Sequence, residues 1–405
     1  MKVCLHTNYS ITPDYIGGTE RFLITLSKEL KCLGFEPFIV CSSFIDEIMV
    51  EGIKVIGRIP EPYKPMICKY KSFTSAFLKN EIFDESDYEN SLRRLSKYTE
   101  MQLDGIDADI FHLNSFASAS FLPYKENYIV TNHENNKEYN GFWGENFFET
   151  FRNLVKNRQT ELHKYPFLLV PSQFYSEYFS KQFNLNIGYI HLGINLSDFP
   201  IRKQLNDLKE EYFNHDDNGC IILFPSRFQI MQKGHDIAIK AAALLKEKGY
   251  KFKIIFTGLK RSNEKYIKQY EELIEQYDVK DCVVVTTFHD INTAYDNCDV
   301  VVSAEKYCSY GLSISESLSK GIPTILTNIP TYLEIANEYQ HAIFFENENY
   351  EALSKELSKV ISKPVTRDVI GAIKFRSNND LRECARKYAQ NYIALLNHSS
   401  RHDDV

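Results

Sequence analysis

The sequence predicts an α/β chain built from two doubly wound, parallel-sheet halves. Three observations lead there. Short apolar runs alternate with amphipathic helical stretches along most of the chain, as parallel strands and their crossover helices do. Each half opens on a strand, a glycine-bearing loop and a long helix, with Gly17-Gly18 in the first half and Gly234 in the second. The second half then repeats the layout of the first.

Composition bounds the answer. A length of 405 residues points to two or three domains, and 43% hydrophobic with 25% charged residues is ordinary for a globular chain. The net charge of −7 argues against nucleic acid as the main partner. Nine cysteines, an odd number without CxxC or Cys/His spacing, read as reduced thiols of a cytoplasmic protein. No apolar run reaches the roughly 18 residues of a membrane span. The opening MKVCLHTNYS lacks a signal-peptide core and reads as a first strand.

In the first half, a strand at residues 3–5 leads through Gly17-Gly18-Thr19-Glu20-Arg21 into a helix with Leu23, Leu26, Leu30 and Leu33 at helical spacing. Gly34 closes that helix, and residues 38–40 form the next strand. The glycine pair allows close backbone approach to a ligand, although the dinucleotide pattern GxGxxG is absent. Residues 60–105 read as irregular apart from a helix at 88–103. Lys64, Lys69, Lys71 and Lys79 lie near Phe73 and Phe77, which fits a membrane-surface patch and fits a partly packed insertion better. Strands at 109–113 and 128–131 follow, and the second delivers His133 to a loop in VTNHEN. A strand at 167–170 ends in Pro171-Ser172, and a short stretch at 187–190 leads to HLGIN at 191–195, with a domain boundary expected after residue 198.

In the second half, strands are expected at residues 220–224, 252–256, 283–286, 300–302, 323–326 and 342–345. Helices alternate with them, at 235–248, 263–276 and 349–361. A last helix, near 379–397, has too little core left in its own half and is expected to cross back to the first. The domains are therefore placed at 1–198, 199–375 and 376–405, with an unordered tail.

The candidate chemistry lies at strand ends of the second half. Arg227 and Lys233, six residues apart, follow one strand, and such loops surround the ligand crevice of open α/β sheets. A helix opening at Gly311 offers free N–H groups and the positive end of its dipole to an anion. Glu316, about one turn in, would repel a phosphate unless it faced hydroxyls such as those of a ribose. Two cations, a helix start and a carboxylate describe a pyrophosphate beside a diol, that is, a nucleotide.

These stretches together resemble the retaining, nucleotide-sugar-dependent glycosyltransferases of the GT-B fold. The resemblance rests on GGTER before the first long helix, on VTNH, on HLGIN, and on SRFQIMQKG with its Arg/Lys spacing. YGLSISESLSKGIPTI, followed by YLEIA at 332–336, completes it. It implies two Rossmann-like domains facing each other across a cleft. Arg227 and Lys233 would bind the donor's diphosphate and stabilise the leaving nucleotide. Gly311 and Leu312 would offer backbone N–H groups, with Gly17 and Gly18 approaching from the other domain. Glu316 would hold the ribose, His133 would touch the transferred sugar, and Cys308 and Tyr310 would line the donor site. Residues 287–290 are assigned to the wall against the base.

The same resemblance implies a nucleotide-diphosphate sugar as donor, a glycan or lipid-linked acceptor, no metal or other cofactor, and a cytoplasmic protein peripheral to the inner membrane face. One departure stands out. The group carries two glutamates with seven residues between them, and here the first position is Cys308, with Glu305 three residues earlier. Glu305 is expected to reach the site only through a remodelled loop. A non-catalytic nucleotide-sugar-binding subunit and a GT-B epimerase fit the same residues.

Overall fold

The structure, a computed structural model, describes residues 1–11, 18–70, 73, 84, 86–213, 219–227, 229–258, 264–286, 290–363 and 365–399. The chain divides into two compact units, Met1–Gly193 with Leu381–Val405, and Ile194–Asp380.

The first unit is an eight-stranded sheet: β1 (Lys2–His6), β2 (Glu36–Cys41), β3 (Glu47–Val50), β4 (Ile53–Gly57), β5 (Ile110–Leu113), β6 (Tyr128–Thr131), β7 (Leu168–Val170) and β8 (Gly188–Tyr189). Their order is β3-β4-β2-β1-β5-β6-β7-β8. All neighbours pair in parallel except β3 with β4. Val3, Cys4 and Leu5 of β1 are fully buried, because helices cover both faces and every residue of a central parallel strand meets apolar neighbours. The chain winds from β1 outward to β2, then returns to β5 on the other side, so the topological switch point lies between β1 and β5.

This unit adds one element to the expected order and corrects one expectation. Residues 47–57 hold an antiparallel hairpin. Its two-residue turn, Glu51-Gly52, has φ of 51° and 81°, the conformation that matches the twist of the flanking strands. Residues 60–105 are also less irregular than expected. A helix at Lys64–Tyr70 buries Met66 and Ile67, and the helix Tyr88–Leu103 is capped by Asp87. Phe73 is buried against Tyr98, with ring centroids 4.6 Å apart, so this member of the surface patch is core. Lys71, Phe77 and Lys79 lie outside the described residues.

The helix Leu381–Ser399 belongs to this first unit. Its Tyr388 and Tyr392 are fully buried, and the Tyr392 hydroxyl lies 2.8 Å from His112 Nδ1. Leu381 and Leu395 are also buried, each contributing about 1.5–3 kcal/mol. Residues 400–405 of the tail lie outside the described residues.

The second unit is a six-stranded parallel sheet: β9 (Cys220–Arg227), β10 (Phe252–Gly258), β11 (Val283–Val285), β12 (Val300–Ser303), β13 (Thr324–Thr327) and β14 (Ala342–Phe345). The order is β11-β10-β9-β12-β13-β14, which places the switch point between β9 and β12. The strand period of two divides β9 between two cores. Ile222 and Phe224 join one, with Ile254, Val302 and Leu245, while Ile221 and Leu223 join the other, with Ile255 and Val301. All nine cysteines are free thiols. Among the described residues no helix is long and apolar enough to cross a membrane.

Candidate functional site

The second unit gathers its chemistry at the β9–β12 switch point. Strand β9 is buried through Phe224, then rises until Arg227, its last residue, is exposed. Residues Ile230–Lys233 form one helical turn, ended by Gly234 at φ +72°. A Cβ at Gly234 would stand 2.0 Å from the carbonyl oxygen of Ala304, just past the end of β12. Only glycine lets this turn rest on that backbone, and the close approach brings Lys233 to its partner.

That partner is Glu305. Lys233 Nζ lies 2.7 Å from Glu305 Oε1, with side chains 16% and 3% exposed. A second pair crosses beside it with the signs reversed, Lys306 Nζ to Asp236 Oδ2 at 3.2 Å. The backbone joins the same two segments, Lys306 N–H donating to Gln232 O at 2.8 Å. Burial pulls the Lys233 ammonium toward neutrality, but the Glu305 carboxylate, helped by Cys308, outweighs burial and the opposing Arg227 and holds it above the ordinary lysine range. His235 next to it is fully buried, and burial with the Lys233 charge pushes its imidazole down to about 3. Glu305 therefore needs no remodelled loop: it reaches Lys233 from the position it occupies in sequence.

The second element is the helix Leu312–Ser319, headed by Gly311 at φ +114° without a side-chain cap. A Cβ at Gly311 would come within 2.6 Å of the Tyr332 ring, so Tyr332 of the helix Pro330–Ala336 leaves room only for glycine. The first-turn N–H groups have no intrahelical acceptors, and the dipole adds partial positive charge there. Glu316 is half-buried, and its Oε2 accepts a 2.8 Å hydrogen bond from the Tyr295 hydroxyl. Tyr295 lies in the helix Ile291–Asn297, fully buried, and also donates toward Ser313 O at 3.1 Å.

Other expected site residues are placed differently. Tyr310 is buried, with its hydroxyl directed to Asn379 Oδ1 at 3.2 Å, so its ring is part of the packing behind the helix start. Cys308 is 9% exposed, and its carbonyl accepts from the Thr331 hydroxyl at 3.0 Å. Leu312 is half-buried at the helix start. Asp290 caps the helix Ile291–Asn297, while residues 287–289 lie outside the described residues. Tyr295 carried no signal in the sequence, being one of 26 tyrosines. Glu305 did carry one, as a lone acid just past a buried strand.

The first unit has a switch point of a different kind. His6 at the end of β1 bonds Gln102 Oε1 at 2.9 Å, and Asn114, just past β5, donates to His6 O at 3.0 Å. His133, two residues past β6, lies 3.0 Å from Asn114 Oδ1 and packs on Phe22 with centroids 5.6 Å apart. Burial pushes both His6 and His133 down to about 4, so both rings are neutral near pH 7. Glu134 beside them accepts from the Tyr9 hydroxyl at 3.1 Å. Burial and Glu138 push its carboxyl up to about 7. Gly18 is the first residue of the helix Gly18–Cys32 and exposed, with open space where a Cβ would stand. Gly17 lies outside the described residues.

Residues 207–386, most of the second unit, match the sequence model of the family described as "Glycosyl transferases group 1". An uncharacterized glycosyltransferase of Methanocaldococcus jannaschii is 26% identical over 217 residues, 51% of this chain and 52% of that protein. One of Bacillus subtilis is 26% identical over 117 residues, 28% of this chain and 32% of that protein. The matched stretches thus span about half or less of these curated relatives. The chain also resembles the solved sucrose-phosphate synthase of Thermosynechococcus elongatus, with a TM-score of 0.75 at 16% identity over 98% of this chain and 99% of that one. Anabaena HepE in complex with UDP-glucose gives a TM-score of 0.66 at 14% identity over 97% and 100%. The expected GT-B fold is borne out by these structural neighbours, and the family match falls on the second unit.

Proposed function

We propose that this chain, whose second unit carries the glycosyl transferases group 1 match, moves a sugar from a nucleoside diphosphate to a glycan or lipid-linked acceptor. Retention of configuration at the transferred carbon and a place in cell-surface polysaccharide or glycoconjugate synthesis are part of the proposal. The observation that carries it is the Lys233–Glu305 pair at the β9–β12 switch point, with Arg227 at the end of β9 and a helix headed by Gly311 after β12. Fixed cations and oriented N–H groups in a partly dry site stabilise the charge that develops on a departing diphosphate, with no reorganisation at the moment of reaction. Glu316, held by Tyr295, suits the paired hydroxyls of a ribose. His133, neutral near pH 7, suits a sugar hydroxyl, and Gly17 and Gly18 keep the close-approach role given by resemblance. HepE, solved with UDP-glucose, makes a nucleotide sugar the donor class to test first.

In this mechanism Lys233 and Arg227 take up charge on the bridging oxygen as the sugar–phosphate bond opens. The leaving phosphate then takes the acceptor's proton, so no side-chain base is required. No resident metal takes part, and turnover is expected to survive a chelator. The test is a panel of UDP-, GDP-, ADP- and CMP-sugars read by thermal stabilisation and by nucleotide release. One matched donor at about 100 times its dissociation constant should stabilise the fold by about 2.7 kcal/mol. A protein that neither binds nor hydrolyses any of them is not a transferase. Binding without turnover on any acceptor would favour the subunit reading, which Cys308 motivates, and conversion of the nucleotide sugar without acceptor would favour the epimerase.

A further inference from the structure

We propose that Glu305 is the positioning residue of this site, holding the Lys233 ammonium at the β9–β12 switch point for the diphosphate it binds. The inference rests on the donor reading above, and nothing in the family match assigns Glu305.

Three observations carry it. Glu305 is fixed from behind: its carbonyl accepts a 2.7 Å hydrogen bond from the hydroxyl of Thr327, the last residue of β13. Its carboxylate therefore has a defined direction, and Oε1 meets Lys233 Nζ at 2.7 Å. Next, the pair is one of two crossed ion pairs. Lys233 and Asp236 on one segment meet Glu305 and Lys306 on the other, and Gly234 seats the first segment on Ala304. A rigid, doubly tied loop holds a cation more sharply than a free lysine, whose side chain would lose rotamer entropy on binding. The third observation is that the arrangement is poor for stability alone. Buried ion pairs are often no better than apolar packing. Here the second oxygen, Glu305 Oε2, is buried without a hydrogen-bond partner among the described residues, which costs more still. A costly, well-oriented charge pair at a sheet's switch point fits selection for a ligand better than selection for the fold.

The charged and titratable groups facing Lys233 are Glu305, Cys308, Arg227 and the neighbouring His235. Glu305 is the carboxylate among them, and it keeps Lys233 protonated against burial. Removing that charge leaves burial and Arg227 unopposed except by Cys308, and the ammonium then loses its proton at lower pH.

Calorimetry with whichever of UDP, GDP and ADP the wild type binds most tightly tests the role. Glu305→Gln, nearly isosteric, is expected to weaken that diphosphate about tenfold at pH 7. The loss should deepen from pH 7 to 9.5, while the wild type stays flat. Glu305→Asp, which keeps a carboxylate and folds with the least repacking, should lose less and remain flat with pH. A merely structural role would move the melting temperature and leave the pH profile unchanged. Glu305→Gln binding within twofold of wild type and flat to pH 9.5, while Lys233→Ala loses the diphosphate, overturns the role of Glu305. Should Glu305→Gln fail to fold, a Glu305→Asp affinity that falls from pH 7 to 9.5 although a carboxylate is kept overturns it equally. If Lys233→Ala binds as wild type does, the cradle itself fails and the donor reading falls with it.

Discussion

The two switch points share a topology and differ in electrostatics. Between β1 and β5, the strand ends of the first unit carry His6, Asn114 and His133, neutral groups joined by hydrogen bonds of 2.9–3.0 Å. Between β9 and β12, the second unit carries Lys233–Glu305 and Lys306–Asp236, held at 2.7 and 3.2 Å. Doubly wound sheets place strand ends at a crevice whatever the residues are. Residue type then decides the ligand. Neutral amides and imidazoles suit hydroxyl-rich molecules, and tethered cations beside a helix start suit phosphates. The contrast warns against inferring a ligand from the fold alone.

The contrast can be broken most directly at Lys233. Lys233→Ala is expected to lower transfer at least a hundredfold, about 3 kcal/mol, because it removes the buried cation and strands Glu305. Lys64→Ala, at an exposed lysine paired with exposed Glu61, should leave transfer within twofold. Equal effects in a steady-state assay would erase the distinction between the two lysines.

Gly234→Ala should come next. It adds a Cβ that must displace the Ala304 carbonyl, at a φ that side chains resist, so about 2–3 kcal/mol of stability is expected to be lost. Diphosphate affinity should fall with it, since the turn that presents Lys233 moves. Unfolding by urea with a diphosphate titration reads both.

The neutral imidazoles of the first unit yield a pH prediction. His6 and His133 are folded with values near 4, below the ordinary 6.5. Each favours the fold fully above about pH 6.5, and that contribution is lost as pH falls toward 4, on the order of 3 kcal/mol per ring. Melting temperature should therefore drop steeply across that window. His133→Asn should flatten the drop, and an unchanged slope would mean that His133 is not buried neutral. The smallest effect belongs to Tyr295→Phe, which frees Glu316 from one hydrogen bond. The KM for the nucleotide sugar should rise about threefold to tenfold with kcat little changed.

Much of this was legible in the sequence, for reasons that differ by residue. The buried strands 3–5, 220–224 and 300–302 read as continuous apolar runs because parallel strands covered on both faces allow nothing else. The helix Tyr88–Leu103 announced itself through Leu92, Leu95 and Leu103 at helical spacing. Gly34, Gly234 and Gly311 marked turns because a positive φ favours glycine. The hairpin at 47–57 was legible too, in alternation around Glu51-Gly52, but two short strands with exposed Met49 and Glu47 give a weak signal beside buried ones. Tyr310 was misjudged because adjacency to Gly311 says nothing about which way a ring points, and packing sent it to Asn379.

By itself, then, the sequence determined the strand and helix alternation, the glycine-headed helix start and the pairing of Arg227 with Lys233 as nearby cations. These are local: they follow from hydrophobic period, from φ preference and from short separations along the chain. Only the tertiary structure decided that Lys233 meets Glu305, 72 residues away, and that Tyr295 holds Glu316. Each depends on which strand end lies beside which. Sheet order sets that through long-range packing, and no local pattern encodes it.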